Sequence, residues 1–248
     1  MVQHMEVSNR NIVQADALAI AMKNKRCGLG ISMGVGKTRI AIEHLQRHFN
    51  PFIKALVVIP KKSVMKSWFD ELNKMNSSVL EDHITFTTYL SLNKQNPNEY
   101  DVVYLDECHS LLPNHENFLS NYTGKILGLT GTPPKNKTSE KGMLVQKYCP
   151  IKYVFTVDDA TDSNILNDYN YVTSRLEQSQ TPKQIQFGRI MRMRALMDYT
   201  SKESYVNSIL KNINAKCIVF ANTQKQADRI CKHSYHSKNS KSDENPKP

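Results

Sequence analysis

The sequence predicts an α/β fold in which a parallel sheet carries helices on both faces. Two observations lead there. Short apolar runs rich in Val, Ile and Leu recur at 27–32 (CGLGIS), 54–60 (KALVVIP), 101–106 (DVVYLD), 125–130 (KILGLT) and 216–222 (KCIVFAN). They are continuous rather than alternating, the pattern of strands buried on both faces. Helical periodicity sits between several of them, and strand, helix, strand, helix is the grammar of crossover connections.

Taken in order, the first run leads into TRIAIEHLQRHF, where helical spacing places Ala41, Leu45 and the His48/Phe49 pair on one face before Asn50-Pro51 closes the helix. The second run leads into VMKSWFDELNKM, with Ser63 as the expected N-cap and Val64, Trp68, Leu72 and Met75 as an apolar stripe. Residues 151–184 hold two further strand candidates, around 153–157 and 169–176, then a polar stretch with Pro182 that reads as a hinge. From Ile185 to Ile213 a long helical pattern leads to the last apolar run, and the tail SKNSKSDENPKP is polar. No long-range internal repeat is visible.

Length and composition bound the function classes. A chain of 248 residues with 40% hydrophobic content fills one large domain or two ordinary ones. Thirty-three Lys and Arg against 23 Asp and Glu give a formal charge of +10, which favours a polyanionic partner, although lysine excess also serves solubility. Five cysteines with no CxxC pair indicate neither a disulfide framework nor a four-cysteine zinc site and point to a reducing interior. No apolar run approaches the roughly 18 residues of a membrane helix, and the first thirty residues lack a secretory apolar centre. The expectation is a soluble intracellular protein with no membrane partner; composition leaves its oligomeric state open.

The strongest local signal is MGVGKT at 33–38, after a strand and at the start of a helix. Gly34 and Gly36 permit positive φ, so backbone N–H groups around Val35 can surround phosphate oxygens at the helix N-terminus. Lys37 supplies charge to the β/γ-phosphates, the Thr38 hydroxyl is a Mg²⁺ ligand, and Arg39 continues the cofactor-binding stretch. The strict GxxxxGK[ST] pattern is not met, since Ile31 stands five residues before Gly36. An ordinary glycine turn is the plainer reading; the flanking strand and helix favour phosphate. YLDECHS at 104–110 adds two acids after an apolar run. Asp106 suits a metal held through water and Glu107 the orientation of an attacking water, although an Asp-Glu pair also caps helices or lies exposed.

MGVGKT, VVIPKKSVMKSW, TFTTYLSL, DECH, LGLTGTP and CIVFANTQKQADRI follow the order of motifs I, Ia, Ib, II, III and IV of superfamily-two helicases and translocases. The chain resembles the branch holding chromatin-remodelling translocases, restriction-enzyme motors and viral DNA helicases, across roughly residues 10–236. The resemblance implies RecA-like lobes: an ATP-binding lobe at 1–150, inter-lobe strands, hinge and helix at 151–213, and the beginning of a second lobe at 214–248. It implies ATP and Mg²⁺ as cofactors, with Lys37, Asp106 and Glu107 catalytic and Thr38 and Asp106 at the metal. Gln14 matches the glutamine that reads adenine in many members, though a solvated helix glutamine reads equally well. His109, Thr130 and Thr132 match residues that couple the nucleotide site to nucleic acid and the second lobe. Pro60, Lys61, Lys62, Thr87 and Thr88 fall where relatives touch the phosphodiester backbone, a task suited to hydroxyls and lysines; an ordinary surface reads the same way.

Relatives carry an arginine finger in motif VI, and neither motif V nor motif VI precedes Pro248. The resemblance therefore predicts a truncated or split helicase, with nucleotide binding, weak stimulated hydrolysis and no unwinding unless another polypeptide completes the second lobe. QFGRIMR at 186–192 nearly spells the finger motif, yet Arg189, Arg192 and Arg194 read as a basic helix face. Cys231, His233 and His236 lack the second ligand pair of a zinc site. Trp68 and Tyr89 suggest base stacking, but Trp68 lies on the apolar stripe, and Cys108 reads as a buried filler. The leading expectation is an ATP-dependent motor acting on DNA; an RNA substrate and a non-catalytic binding remnant are the alternatives.

Overall fold

The computed structural model describes residues 8–168, 172–173, 200–214 and 217–231. The chain divides into two compact units, Met1–Tyr169 and Asn170–Pro248.

The first unit is built on a six-stranded sheet of β1 (Arg26–Ile31), β2 (Ala55–Ile59), β3 (Ile84–Thr88), β4 (Val102–Asp106), β5 (Lys125–Thr130) and β6 (Ile151–Phe155). Its order is β3-β2-β4-β5-β1-β6, and every neighbouring pair is parallel. The connecting helices are α1 (Asn9–Lys23), α2 (Lys37–Arg47), α3 (Met65–Lys74), α4 (Glu116–Leu119), α5 (Glu140–Tyr148) and α6 (Val157–Asp162). This is the RecA-like arrangement, with the glycine loop between β1 and α2.

Continuous hydrophobicity in the strands has a direct cause. Successive side chains point to opposite faces, and both faces are covered. Val57, Ile59, Tyr104, Leu127 and Leu129 enter one core with α1, α2 and α3. Leu56, Val58, Val103, Leu105 and Ile126 enter the other, with Phe118, Tyr122 and Val145. Each such aliphatic side chain contributes about 1.5–3 kcal/mol on burial. The edge strands look different: β3 and β6 bury their residues only in part, so their sequences lack a continuous apolar run. β3 was legible only as the motif stretch TFTTYLSL. Residues 151–155, counted above with the inter-lobe segment, pair with β1 as the sheet's sixth strand.

Two local expectations are corrected. Ser63 is not an N-cap: it lies inside a 3₁₀ turn, Lys62–Val64, and α3 begins at Met65 without a side-chain cap. The turn itself takes up a first-turn donor, Val64 N–H bonding Lys61 O at 3.0 Å. The strand expected at 216–222 does not form among the described residues 217–222, where Ile218 and Phe220 are 84% and 93% exposed. Strand propensity becomes a strand only beside a ladder partner, and residues 217–222 form no strand ladder among the described residues.

The second unit contains helices Thr200–Leu210 and Gln224–Ile230. Thr223 caps the latter through Gln226 N–H at 3.1 Å, and the Arg229 guanidinium grips the buried Glu203 carboxylate from Nε at 2.9 Å and Nη2 at 2.6 Å. Of the long helix expected over 185–213, residues 200–213 fall among the described residues, and of these Thr200–Leu210 are helical. Arg189, Arg192, Arg194, His233, His236 and nearly all of 169–176 lie outside them.

Candidate functional site

In a parallel sheet all strands end at one edge, which is where ligands of open α/β folds bind. Here that edge holds nearly every residue singled out above. β1 runs into the glycine loop, β4 ends at Asp106, β5 ends at Thr130, β2 runs into Pro60 and Lys61, and β3 ends at Thr87 and Thr88. With strands about 4.8 Å apart, the order splits the edge in two. β1, β5 and β4 carry the phosphate and acid residues; β2 and β3 carry the candidate backbone contacts.

Gly34 and Gly36 adopt φ of +84° and +106°, in the left-handed region that favours glycine. Gly36 is the N-cap of α2, so Lys37, Thr38 and Arg39 form its first turn, with N–H groups at the positive end of the helix. Val35 is buried between the two glycines. The Lys37 ammonium donates to Ile31 O at 3.1 Å. Burial lowers its pKa, while the nearby Glu107 and Asp106 act in the opposite direction.

Asp106 is 7% exposed. Burial raises its pKa, and a hydrogen bond from the Trp68 indole works against that, Nε1 to Oδ2 at 3.1 Å. The Tyr89 hydroxyl donates to the Asp106 carbonyl at 2.9 Å. Glu107 takes φ +53° and ψ +55°, a left-handed conformation costing a non-glycine residue about 1–2 kcal/mol. Its carboxylate lies 3.3 Å from His109 Nδ1. The same nitrogen is 2.8 Å from Thr130 Oγ1 and 3.3 Å from Thr132 Oγ1, and Thr132 N–H donates to Thr130 Oγ1 at 3.1 Å. The three residues named for coupling thus meet one another and Glu107. Cys108 is buried; the adjoining Cys149 thiol and desolvation hold its own thiol far above the usual range.

Beside the glycine loop lies a cavity of about 390 Å³, lined by Ser8, Arg10, Asn11, Gln14, residues 34–36, Arg39 and Glu71. That volume is within the range of small-ligand sites. Gln14 is 6% exposed, and its amide donates to Val35 O at 2.7 Å, so it braces the loop from beneath. Arg39 reaches Glu71 at 3.9 Å across the rim. On the other half of the edge, Lys62, Thr87 and Thr88 line a smaller hollow of about 200 Å³ with Ile59, Met65, Phe86 and Ser91. Lys61 is exposed beside it and Pro60 half-buried.

The residues present fit a nucleotide and its Mg²⁺: a loop cradle that a Cβ at Gly36 would invade, a lysine at its centre, and a buried carboxylate at the neighbouring strand end. Among the described residues no cluster of three or more His, Cys, Asp and Glu suits a directly coordinated metal. No described helix is long and apolar enough to cross a membrane. Sequence reasoning missed the hydrogen bonds of Trp68 and Tyr89 to Asp106. The available signal was only that a buried indole or phenol seeks an acceptor.

The family description "Type III restriction enzyme, res subunit" matches residues 4–135. A curated relative from African swine fever virus, named "Putative ATP-dependent RNA helicase QP509L", is 29% identical over 127 residues, covering 42% of this chain and 24% of the relative. The chain spans about a quarter of the length of the curated relatives it matches. Similar solved structures include the UvsW helicase of bacteriophage T4, with TM-score 0.46, 15% identity and coverage of 59% of this chain and 62% of that one. The Hef helicase domain of Pyrococcus furiosus has TM-score 0.48, 14% identity and coverage of 91% and 54%.

Proposed function

Because the chain belongs to the type III restriction enzyme res-subunit family of superfamily-two helicases, we propose that it is an ATP-dependent helicase or translocase with DNA as its polymer. The observation that carries this reading is convergence: Lys37 and Thr38 after β1, Asp106 and Glu107 after β4, and Thr130 at the end of β5 stand on three adjacent strands.

ATP would enter with its phosphates in the 34–36 loop and its nucleoside in the 390 Å³ cavity. Lys37 would exchange Ile31 O for phosphate oxygens. Mg²⁺, when bound, withdraws charge from those oxygens; Thr38 and Asp106 would hold it, Asp106 through water. Glu107 takes a proton from the attacking water as the γ-phosphorus bond to the bridging oxygen breaks, leaving ADP and inorganic phosphate. His109 ties Glu107 to Thr130 and Thr132, so a shift in the loop after β5 would reach the glutamate. Pro60, Lys61, Lys62, Thr87 and Thr88 would hold the phosphodiester backbone without reading bases.

The test is binding of labelled ATP to the full chain. Retention with Mg²⁺, loss in EDTA and at least tenfold weaker binding in Lys37→Ala are expected; equal binding by Lys37→Ala would remove the loop from the site. RNA is the second reading, favoured by the name of the viral relative. Hydrolysis measured with single-stranded DNA, duplex DNA and RNA separates the two, with the largest stimulation expected from DNA.

A further inference from the structure

Two aromatic side chains that belong to neither the glycine loop nor the acid pair both end on Asp106. Trp68, 1% exposed, places its indole N–H on Oδ2 at 3.1 Å; Tyr89, also buried, places its hydroxyl on the backbone carbonyl at 2.9 Å. A carboxylate accepts at several lone pairs, and a donor fixed on one oxygen sets the plane of the group. A second donor on the peptide oxygen fixes the main chain that bears it. Asp106 is therefore held at both its side chain and its backbone, from outside its own strand.

The origin of these donors is informative. Trp68 lies in the first turn of α3, directly after the 3₁₀ turn Lys62–Val64, and Tyr89 directly follows Thr88. Lys62, Met65, Thr87 and Thr88 line the 200 Å³ hollow on the β2–β3 half of the edge. The same two segments thus carry one end each in the candidate polynucleotide hollow and the other on the carboxylate proposed for Mg²⁺. The Trp68 ring is otherwise fixed by packing, with Phe86 at 6.1 Å and Tyr104 at 6.2 Å between centroids, so movement of α3 or β3 must move the indole.

We propose that Trp68 and Tyr89 are positioning residues that hold Asp106 for Mg²⁺ and transmit polynucleotide engagement at the β2–β3 hollow to that carboxylate. This rests on the ATP-site reading above. It differs from the route through His109, which reaches Glu107 and the loop after β5.

Trp68→Phe keeps a ring against Phe86 and Tyr104 and removes the donor. Affinity for a fluorescent ATP analogue is measured on the full chain in EDTA and across a Mg²⁺ titration, with and without a single-stranded oligonucleotide. Loss of a hydrogen bond to a charged group is worth on the order of tenfold. Expected for Trp68→Phe is the same loss of binding in EDTA as in the wild type, a half-saturating Mg²⁺ concentration raised about tenfold, and loss of the oligonucleotide's effect on it. Tyr89→Phe, which removes the second tether but keeps the ring, should lose the same oligonucleotide effect and provides the test if Trp68→Phe does not fold. Trp68 is the only tryptophan in the chain, so wild-type emission should also shift when Mg²⁺ and nucleotide bind together. A wild-type Mg²⁺ response and intact oligonucleotide effect in a folded variant would overturn the proposal, as would unshifted wild-type emission. Wild-type protein that binds no nucleotide would overturn the ATP-site reading itself, and this inference with it.

Discussion

At the scale of single residues, Gly36 and Asp106 show how function opposes stability at this edge. A Cβ at Gly36 would crowd Gln14 Nε2 on backbone at φ +106°. Gly36→Ala is expected to weaken nucleotide binding at least tenfold and lower Tm, both measurable on the purified variant. The ionised form of Asp106 is disfavoured by burial, so its folded pKa lies above the unfolded one. The folded state thus bears a cost that sets in as pH rises above the unfolded value. Asp106→Asn relieves it and keeps an oxygen for the indole, so Tm should rise while the Mg²⁺ dependence of nucleotide binding disappears. Lys37, Thr38, Asp106 and Glu107 were legible as candidates because phosphate chemistry admits few side chains. Trp68 was not, because an apolar stripe records that a ring is buried but not where its N–H points.

At the scale of elements, α2 carries a second titratable feature. His44 is buried, with Nδ1 2.9 Å from the Tyr104 hydroxyl and Nε2 unpartnered in the core. Burial, with His48 and Lys125 adding to it, depresses its pKa to about 3 from an ordinary 6.5. Between those values the unfolded chain binds the extra proton, so this contribution is complete above pH 6.5 and is lost as pH falls toward 3. Burial shifts His115 in the same direction. Thermal melts from pH 7 to 4.5 should show Tm falling with pH, with a shallower fall in His44→Gln; parallel curves would count against the assignment. The sequence reading of α2 recovered Ala41 and Leu45 but not His44. β1, β2, β4 and β5 were legible as continuous apolar runs because both their faces are covered; of the edge strands, β6 was read as a candidate around 153–157 and β3 only as a motif stretch. The run at 216–222 has an apolar composition like that of the central strands, yet its described residues 217–222 take no strand. Periodicity reports what a segment can do, and pairing depends on what lies beside it.

At the scale of the whole molecule, the order β3-β2-β4-β5-β1-β6 turns motifs scattered from Gly34 to Thr132 into one edge, with the half proposed for the nucleotide and the half proposed for the polynucleotide meeting at β4. The ordered motif set made the helicase family readable. The polymer was not readable, because lysines and hydroxyls grip DNA and RNA phosphates alike. The central claim is that this edge hydrolyses ATP through Glu107, and phosphate release from Mg²⁺·ATP in the presence of polynucleotide tests it most directly. The account predicts release by the wild-type chain and its loss in Glu107→Gln, with nucleotide binding retained. Equal release by the two proteins would contradict it.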